Sequence, residues 1–408
     1  MKRLAALWIE LVRRTDYERC LRPRVTRFSL EPVQRLLRRL GDPQQELPVL
    51  HVAGSKGKGS TCFFLERGLR NAGLRTGLYL SPHLESWRER ISLGGLPAGE
   101  EILAPALEAV LSEADDSQTF FDLLTAAAFL VFARAGCDAA VMEVGLGGRL
   151  DSTNCAHPLA AVVTSIEREH ADVLGNDLLE IAREKAGIFK SGARLWSGLL
   201  RDHPARPVLV ERAAEAGEPL RELPASIPRR KDLPHPQPHM QRNYALANAV
   251  LADLESGDPR FAGAARGLER LAPDALRLPG RWEKRRLPDG REVILDVAHT
   301  ADSIRALLLA FRNAWPRRSR GVVVGFRDDK NLEALAAALG PPPEGERWWS
   351  APAGDHPLSA PPEKVAALFH ATPLKTPSFP EGPQVLLVTG STYLVGALRP
   401  SSAGPVPP

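Results

Sequence analysis

Short apolar runs alternate with helical patterns from Pro48 to about Arg201. This alternation is typical of βαβ units built around a mostly parallel sheet. Each run ends in small or polar residues, and ligands of open α/β sheets bind beyond the carboxyl ends of the strands. We therefore expect the chemically unusual residues of this region to gather at one edge of the sheet. The predicted strands lie in LPVLHVAG, RTGLYLS, DAAVMEVG and AAVVTSI.

The second part of the chain begins with a proline-rich passage, from His203 to His239, which predicts loops and short hairpins rather than helix. The helical pattern QRNYALANAVLADL follows it. After LRLPGRWE, strands and helices alternate again, and EVILDVAH, GVVVGF and QVLLVTG predict the strands of a second, smaller α/β domain. We expect domains at residues 1–278 and 279–400, followed by a disordered tail at 401–408.

Composition places the chain among ordinary globular proteins. Of its 408 residues, 44% are hydrophobic and 25% are charged, and the net charge is only +4. The arginines are scattered and no basic stretch is interleaved with aromatic residues, so no nucleic acid partner is expected. The four cysteines form no C-x-x-C pair, which fits a reducing cytoplasm better than a zinc site or a disulfide framework.

No membrane segment is predicted. We interpret the N-terminal MKRLAALWIELVRR as an amphipathic helix, because Glu10 interrupts its apolar run and no small-residue cleavage site follows. No apolar stretch approaches the ~20 residues that span a bilayer. We therefore expect a soluble, cytoplasmic protein without a membrane partner.

The segment HVAGSKGKGST, residues 51–61, combines a strand, a glycine-rich turn and the start of a helix. In that setting clustered backbone N–H groups and the helix N-terminus stabilise anionic oxygens, and glycine lets the backbone approach them. The usual phosphate loop has a hydroxyl residue directly after its lysine, but here Gly59 separates Lys58 from Ser60. We interpret the segment as a phosphate-binding loop whose turn is one residue longer. A glycine turn without a ligand is the alternative, which two lysines and three glycines beside a helix start disfavour.

The residue types of this loop have expected roles. Lys58 would contact the β- and γ-phosphates of a nucleotide, and Ser60 or Thr61 would lie near a magnesium ion. Lys56 is expected to be peripheral. The candidate nucleotide-binding residues of the loop are Gly54, Ser55, Gly57, Lys58, Gly59, Ser60 and Thr61.

Several further motifs occur in the order of a known family: YLSPHLESWRERI, MEVGLGGRLDSTN, SIEREHADVLG, EIAREKAGIFKSG and, near the end, VTGSTYLVG. With these motifs the chain resembles the folylpolyglutamate synthase and dihydrofolate synthase family, relatives of the Mur ligases, over most of its length. The resemblance implies an α/β fold, with a P-loop ATP-binding domain around a mostly parallel sheet and a smaller C-terminal Rossmann-like α/β glutamate ligase domain. It also implies ATP and Mg2+ as cofactors and a monomeric state. The implied substrates are dihydropteroate or folate and L-glutamate.

Glu143 ends a predicted strand, where a carboxylate can hold a divalent cation against nucleotide phosphates. The alternative is an acid that caps the following loop or pairs with Arg149. The resemblance favours metal binding, and it implies that Ser81 approaches the magnesium and that His170 binds a second one. Glu169 stands where the family usually has an aspartate. The predicted metal ligands are Ser60, Ser81, Glu143 and His170.

The segment YLSPHLESWRERI resembles a loop of the family that borders the pterin pocket, so Pro82 and His83 are the candidate substrate residues. An ordinary proline turn is the alternative, with Glu89 and Arg90 paired to each other on the surface.

The resemblance implies roles for residues on both sides of the predicted domain break. Lys185 resembles a lysine that reacts with carbon dioxide to become a carbamate supporting the magnesium site, and a solvated helix lysine is the alternative. Asn243 would lie near the adenine, and Arg281 would reach the terminal phosphate, a role suited to its fixed charge. Asp296 and His299 match a D-x-A-H pair at the cleft. The candidate catalytic residues are Lys58, His170, Lys185 and Arg281.

The chain departs from the family in the segment DVAHTAD. The family usually has glycine after the aspartate, and asparagine and proline after the histidine. This chain has Val297, Thr300 and Ala301 at those positions. The departure affects the nucleotide or glutamate side of the predicted site.

The resemblance implies ATP-dependent ligation of L-glutamate through an acyl phosphate, giving dihydrofolate or folylpolyglutamate. Lys58, Arg281 and magnesium would neutralise charge during phosphoryl transfer. Addition of the first glutamate to dihydropteroate and of further glutamates to folate use the same chemistry, and both stay open.

Three other functions are weighed against this one. A Mur-type ligase acting on a nucleotide-linked peptide is disfavoured by the SPHL and GLGGRLD segments. A guanine nucleotide switch would carry an N-K-x-D motif, which is absent from the sequence. A catalytically weakened nucleotide-binding relative is suggested by the altered DVAHTAD segment, and a turnover assay separates it from an enzyme.

Overall fold

The computed structural model describes residues 2–16, 29–167, 177–227 and 229–405, which form two α/β regions, each with its own sheet. The helices are α1 (Lys2–Leu11), α2 (Glu31–Arg39), α3 (Lys58–Asn71), α4 (Glu100–Glu113), α5 (Phe120–Arg134), α6 (Leu178–Ala186), α7 (Arg206–Glu215), α8 (Pro238–Gly257), α9 (Ala264–Glu269), α10 (Ala301–Ala314), α11 (Leu332–Leu339), α12 (Pro362–Phe369) and α13 (Thr392–Leu398). The strands are β1 (Val49–Ala53), β2 (Thr76–Tyr79), β3 (Ile91–Leu93), β4 (Leu96–Pro97), β5 (Ala139–Glu143), β6 (Pro158–Val163), β7 (Arg194–Ser197), β8 (Leu220–Glu222), β9 (Glu283–Arg286), β10 (Glu292–Leu295), β11 (Arg320–Val324), β12 (Glu346–Ser350), β13 (Thr372–Pro373), β14 (Val385–Thr389) and β15 (Ala403–Pro405).

The first sheet has the strand order β4-β3-β2-β5-β1-β6-β7-β8. In this spatial order, the six strands β2, β5, β1, β6, β7 and β8 run parallel to one another. The strands β3 and β4 add an antiparallel edge next to β2. In the register, Val52 lies opposite Glu143 and Ala53 lies opposite Val163. The carboxyl ends of β1, β5 and β6 therefore meet at one edge, which confirms the predicted mostly parallel sheet.

Alternation along β1 explains why both faces of the first sheet are covered. Val49 packs into a core formed with α1, α2, α4 and α5, whereas Leu50 and Val52 pack into a core formed with α3, α8 and α9. A strand buried on both faces has successive side chains in different cores. The amphipathic helix predicted at the N-terminus is α1. Within the part of the chain that the structure describes, no helix has the combination of length and hydropathy required to cross a membrane.

The second sheet has the order β13-β12-β11-β14-β10-β9-β15, in which β10 to β14 are parallel to their neighbours and β9 and β15 are antiparallel. Leu295 lies opposite Val388, so the loops after β10 and β14 leave the sheet side by side. The predicted second α/β region is confirmed. The predicted break near residue 278 falls between α9 and β9 and stays a prediction.

Two sequence expectations about irregular segments are wrong. The passage from His203 to His239 contains α7 and β8. Pro207 does not prevent the helix, because it lies in the first turn of α7, where its missing N–H costs no intrahelical bond. The tail is not wholly disordered, because Ala403–Pro405 pairs with β9. The backbone N–H and C=O groups on the outer side of β9 are open to pairing with another strand, and the tail pairs with them. The composition of the tail alone does not reveal this pairing. Residues 406–408 lie outside the described residues.

The buried His51 lies in the middle of β1, and we expect it to make the stability of the fold sensitive to acid. Its Nε2 lies 2.9 Å from Thr153 Oγ1, and burial lowers its pKa to about 3. Between that value and the unfolded pKa of about 6.5, the unfolded chain binds the proton more readily than the folded chain. Burial of neutral His51 therefore makes its full contribution to the free energy of unfolding above about pH 6.5. As the pH falls below that value, the free energy of unfolding decreases by about 1.4 kcal/mol per pH unit.

The measurement is urea unfolding from pH 7 to pH 5. His51→Gln keeps an Nε donor for Thr153 and is expected to flatten the pH dependence relative to the wild-type chain. The exposed His157 provides the matched control His157→Gln. Equal slopes for the wild type and His51→Gln would contradict the prediction.

Candidate active site

The glycine loop lies between β1 and α3, as the sequence predicts. Gly54 has φ +148° and Gly57 has φ +82°, which are conformations that favour glycine. A Cβ on Gly54 would collide with Thr164 Oγ1, and one on Gly57 would lie 2.6 Å from Asn243 Oδ1. At these two positions the loop passes too close to its neighbours for a side chain, and it delivers Lys58 to the first position of α3.

Hydroxyl residues after β6 hold the glycine loop in place. Thr164 Oγ1 donates to the Lys56 carbonyl oxygen at 2.6 Å, and the Lys56 N–H donates to Ser165 Oγ at 2.8 Å. The Ser55 N–H donates to the Ser165 carbonyl oxygen at 2.8 Å. Sequence analysis did not assign Thr164 and Ser165 a role, although hydroxyl residues directly after a buried strand are a signal for one. These bonds fix the loop conformation before any ligand binds.

Glu143 lies beside the start of α3. Its side chain is only 5% exposed, and a Cβ added to Gly59 would lie 3.5 Å from both of its carboxylate oxygens. Glu143 Oε2 also accepts the Ser81 N–H at 3.0 Å. Arg149 bonds instead to Glu184, with Nε 2.9 Å from Oε1, which contradicts the alternative that Arg149 pairs with Glu143. The structure thus brings together the phosphate loop, Glu143 and the Ser81 loop.

The donor set of this corner suits a magnesium ion held partly by nucleotide phosphates. Ser60 and Thr61 are buried here, and Thr61 Oγ1 has no hydrogen-bond partner among the described residues. In the described ranges no three His, Cys, Asp or Glu side chains are grouped to hold a metal. Magnesium commonly uses one or two carboxylates together with substrate phosphates and water, so Glu143 with these hydroxyls fits it. His170 and Glu169 lie outside the described residues.

Lys185 lies on α6 and is only 2% exposed, so the alternative of a solvated helix lysine is wrong. The loop after β5 packs directly on this helix, because a Cβ on Gly148 would lie 2.9 Å from the Lys185 carbonyl oxygen. A buried ammonium ion is costly unless it is compensated.

Asp151 shapes the loop after β5 and was missed by sequence analysis. Its Oδ2 accepts the N–H groups of Gly145 and Leu146 at 3.0 and 2.9 Å, and its Oδ1 accepts the Thr153 N–H at 3.0 Å. Burial raises the pKa of Asp151, and these hydrogen bonds oppose the increase. An aspartate that precedes Ser and Thr is a common signal for a side chain that caps its own loop.

The Ser81 loop places His83 among aromatic side chains. The Arg90 Nε donates to His83 Nδ1 at 2.9 Å, and Arg90 is only 1% exposed. Trp8 meets the His83 ring edge-on at 6.4 Å and stacks on Trp87 at 4.8 Å. Glu89 accepts backbone N–H groups of its own loop rather than pairing with Arg90. The alternative of a Glu89–Arg90 surface pair is therefore wrong. Pro82, the other candidate substrate residue, is exposed.

Residues of the second region face the phosphate loop. Burial lowers the pKa of His299 to about 3, and the charges of Lys56, Lys330 and Arg281 add to this effect. The His299 Nδ1 lies 3.0 Å from the Val297 carbonyl oxygen. His299 is therefore a neutral imidazole near neutral pH, close enough to Lys56 to sense its charge.

Asp296 organises the turn that carries Arg281. Its Oδ2 accepts the Trp282 N–H at 2.8 Å, and its Oδ1 accepts the Ala298 N–H at 2.9 Å. Burial raises the pKa of Asp296, and Arg281 opposes the increase. Trp282 has φ +46°, which is unusual for an aromatic residue. Both oxygens of Asp296 thus support backbone, and its role at the nucleotide stays a prediction.

The altered DVAHTAD segment keeps its local structure. Val297 has no positive φ and packs in the core of the second region, so its backbone does not require glycine. The Thr300 N–H donates to Ser303 Oγ at 3.1 Å directly before α10 begins at Ala301. Thr300 thus keeps a polar residue at the start of α10.

Comparisons with known proteins define the class. Residues 52–219 match the Mur ligase middle domain, and residues 280–387 match the Mur ligase glutamate ligase domain. The chain is 28% identical to the dihydrofolate synthase/folylpolyglutamate synthase of Bacillus subtilis (strain 168), over 91% of this chain and 95% of that protein.

Solved structures agree with this assignment. A bifunctional folylpolyglutamate synthase/dihydrofolate synthase with Mn, AMPPNP and L-glutamate bound matches with a TM-score of 0.77 and 30% identity, over 92% of this chain and 95% of that chain. E. coli FolC in complex with DHPP and ADP matches with a TM-score of 0.79 and 29% identity, over 97% of both chains. The chain belongs to the folylpolyglutamate synthase/dihydrofolate synthase family of Mur ligases.

Proposed function

We propose that this chain is an ATP-dependent ligase that joins L-glutamate to dihydropteroate or to a folate. The observation that carries the proposal is the position of Glu143, whose carboxylate faces the first turn of α3 where the phosphate loop ends. A nucleotide bound there would have its phosphates between Lys58 and Arg281. The relatives with bound Mn, AMPPNP, L-glutamate and DHPP support this reading.

The acceptor carboxylate is unreactive towards an amine, because its negative charge repels attack and oxide is a poor leaving group. One carboxylate oxygen attacks the γ-phosphorus of ATP, the bond to ADP breaks, and an acyl phosphate forms. The glutamate amine then attacks the acyl carbon, the amine loses a proton, phosphate leaves with the C–O electron pair, and an amide remains. Lys58 and Arg281 neutralise the charge on the transferred group.

Glu143 and the hydroxyls of Ser60 and Ser81 would hold Mg2+ in this scheme. When bound, magnesium neutralises phosphate charge and orients the phosphates for in-line transfer. Asp296 holds the turn that presents Arg281, and Asn243 supports the phosphate loop at Gly57. His83 and the aromatic side chains around it would border the flat pterin ring.

Lys185 would act as a carbamate. The ammonium first loses one proton, the free amine nitrogen then bonds to the carbon of carbon dioxide, and loss of a second proton leaves a carbamate, so a buried cation becomes an anion. This change would replace a positive charge by a negative charge that supports the magnesium site. His170 would complete the second metal site, and Pro82 would border the acceptor.

The test offers MgATP and labelled L-glutamate with dihydropteroate or with tetrahydrofolate, and measures phosphate and amide together. We expect glutamate-dependent release of about one phosphate per amide. An acceptor whose carboxylate is blocked as an amide should give neither product. ATP hydrolysis without amide would favour a nucleotide switch or a weakened relative, and ligation only to a nucleotide-linked peptide would favour a Mur-type substrate. Either outcome would overturn the proposal.

A further inference from the structure

The loop after β2, residues 81–86, reaches from the first region into the second, and we call it the bridging loop. Leu84 packs against the core of the second region that includes Val297 and Leu398. A Cβ on Gly396 in α13 would collide with the Leu84 carbonyl oxygen, and a Cβ on Gly280 would lie 3.3 Å from Leu84 Cδ2. Two glycines of the second region thus allow the bridging loop to approach closely.

An arginine continues this contact. Arg399 directly follows α13, and its Nη1 donates to Glu85 Oε1 of the bridging loop. Its Nε lies 2.9 Å from Glu283 Oε2 and 3.0 Å from Oε1. Glu283 is only 7% exposed, and its Oε2 accepts the Gly280 N–H at 2.8 Å. A continuous set of bonds therefore runs from the bridging loop to the residue before Arg281.

The other end of the bridging loop lies at the candidate metal site. The Ser81 N–H donates to Glu143 at 3.0 Å. A single short loop thus connects the carboxylate proposed to hold the metal with the turn that presents Arg281. Because misplacement of catalytic groups by about 1 Å is enough to slow a reaction by about 100-fold, this connection matters for catalysis.

We propose that Arg399 is a positioning residue, which holds the bridging loop on the second region so that Glu143 and Arg281 face the same triphosphate and water is excluded. The proposal rests on the proposed ligase function. When the contact is broken, water enters and its oxygen attacks the acyl carbon of the acyl phosphate. The C–O bond to phosphate breaks, and the free acceptor carboxylate, inorganic phosphate and protons are released without amide.

Three variants separate this role from general stability. Glu85→Gln removes the charge partner on the bridging loop and leaves the Arg399–Glu283 pair intact, so it is expected to fold normally. Arg399→Met removes both bonds, and Arg399→Lys restores a positive charge without the planar fork. Arg305→Met, which breaks an exposed Arg305–Asp302 pair within α10, is the matched control.

The readout is the ratio of phosphate released to amide formed, together with the KM for glutamate. This ratio does not change when a variant merely lowers the amount of folded enzyme. We expect a ratio near one for the wild type and Arg305→Met, at least about a threefold higher ratio for Glu85→Gln and Arg399→Met, and partial recovery in Arg399→Lys.

The outcomes distinguish the two proposals. If the wild-type chain forms amide, and Glu85→Gln and Arg399→Met keep its phosphate-to-amide ratio and glutamate KM, Arg399 has no positioning role. If the wild-type chain forms no amide with either acceptor, the ligase proposal fails, and this role for Arg399 fails with it.

Discussion

Replacement of Lys58 by methionine is expected to lower kcat for glutamate-dependent phosphate release by about 100- to 1000-fold. Lys58 is the first residue of α3, and its Nζ donates to the Gly54 carbonyl oxygen at 2.9 Å. The ammonium group therefore lies on the phosphate loop itself, where it would meet the β- and γ-phosphates. Methionine keeps the length of the side chain and removes the charge that balances the transferred phosphoryl group.

The Lys58 variant should remain folded, because it loses a single hydrogen bond of about 1 kcal/mol. The measurement is steady-state kinetics with saturating MgATP, acceptor and glutamate, accompanied by a thermal melt. Lys375→Met changes an exposed lysine of the second region and serves as the control, with unchanged kcat expected. A Lys58→Met enzyme with more than about a tenth of the wild-type kcat would contradict the assignment of Lys58 to phosphoryl transfer.

The phosphate loop could be predicted because its information is local. Gly54 and Gly57 adopt backbone conformations that favour glycine, so the spacing of glycines already encodes the turn between β1 and α3. Glu143 could be predicted for a related reason, since the ends of parallel strands meet at one edge. The positions of both followed from the strand pattern and the residues directly after each strand, whereas the choice of metal binding over loop capping for Glu143 also needed the resemblance to the family.

The contacts that support this site could not be predicted from local pattern. The Lys56 N–H bonds to Ser165, which lies 109 residues away, and no spacing rule connects the two segments. Leu84 is one apolar residue within a polar loop, and its sequence has no period that indicates burial against the second region. The carboxylate of Asp296 is equally ambiguous, because an acid after a strand can bind a ligand or hold backbone. The bond from the Trp282 N–H shows that Asp296 holds backbone, which the sequence alone did not reveal.

Replacement of Glu143 by glutamine is expected to raise the magnesium concentration for half-maximal activity by about 10- to 100-fold and to lower kcat at fixed magnesium. Glutamine has the same shape and keeps an oxygen that accepts the Ser81 N–H, so the bridging loop stays in place. Only the negative charge beside the first turn of α3 is lost.

The measurement for Glu143→Gln is a titration of activity with Mg2+ and with Mn2+, together with direct Mn2+ binding in the presence of a non-hydrolysable ATP analogue. Glu184→Gln removes a carboxylate of α6 that bonds Arg149 and provides the control, for which an unchanged metal requirement is expected. If Glu143→Gln loses activity but binds Mn2+ as the wild type does, the charge of Glu143 serves catalysis in another way than by holding the metal. If the Glu143→Gln variant keeps both the activity and the metal affinity of the wild type, Glu143 is not a metal ligand.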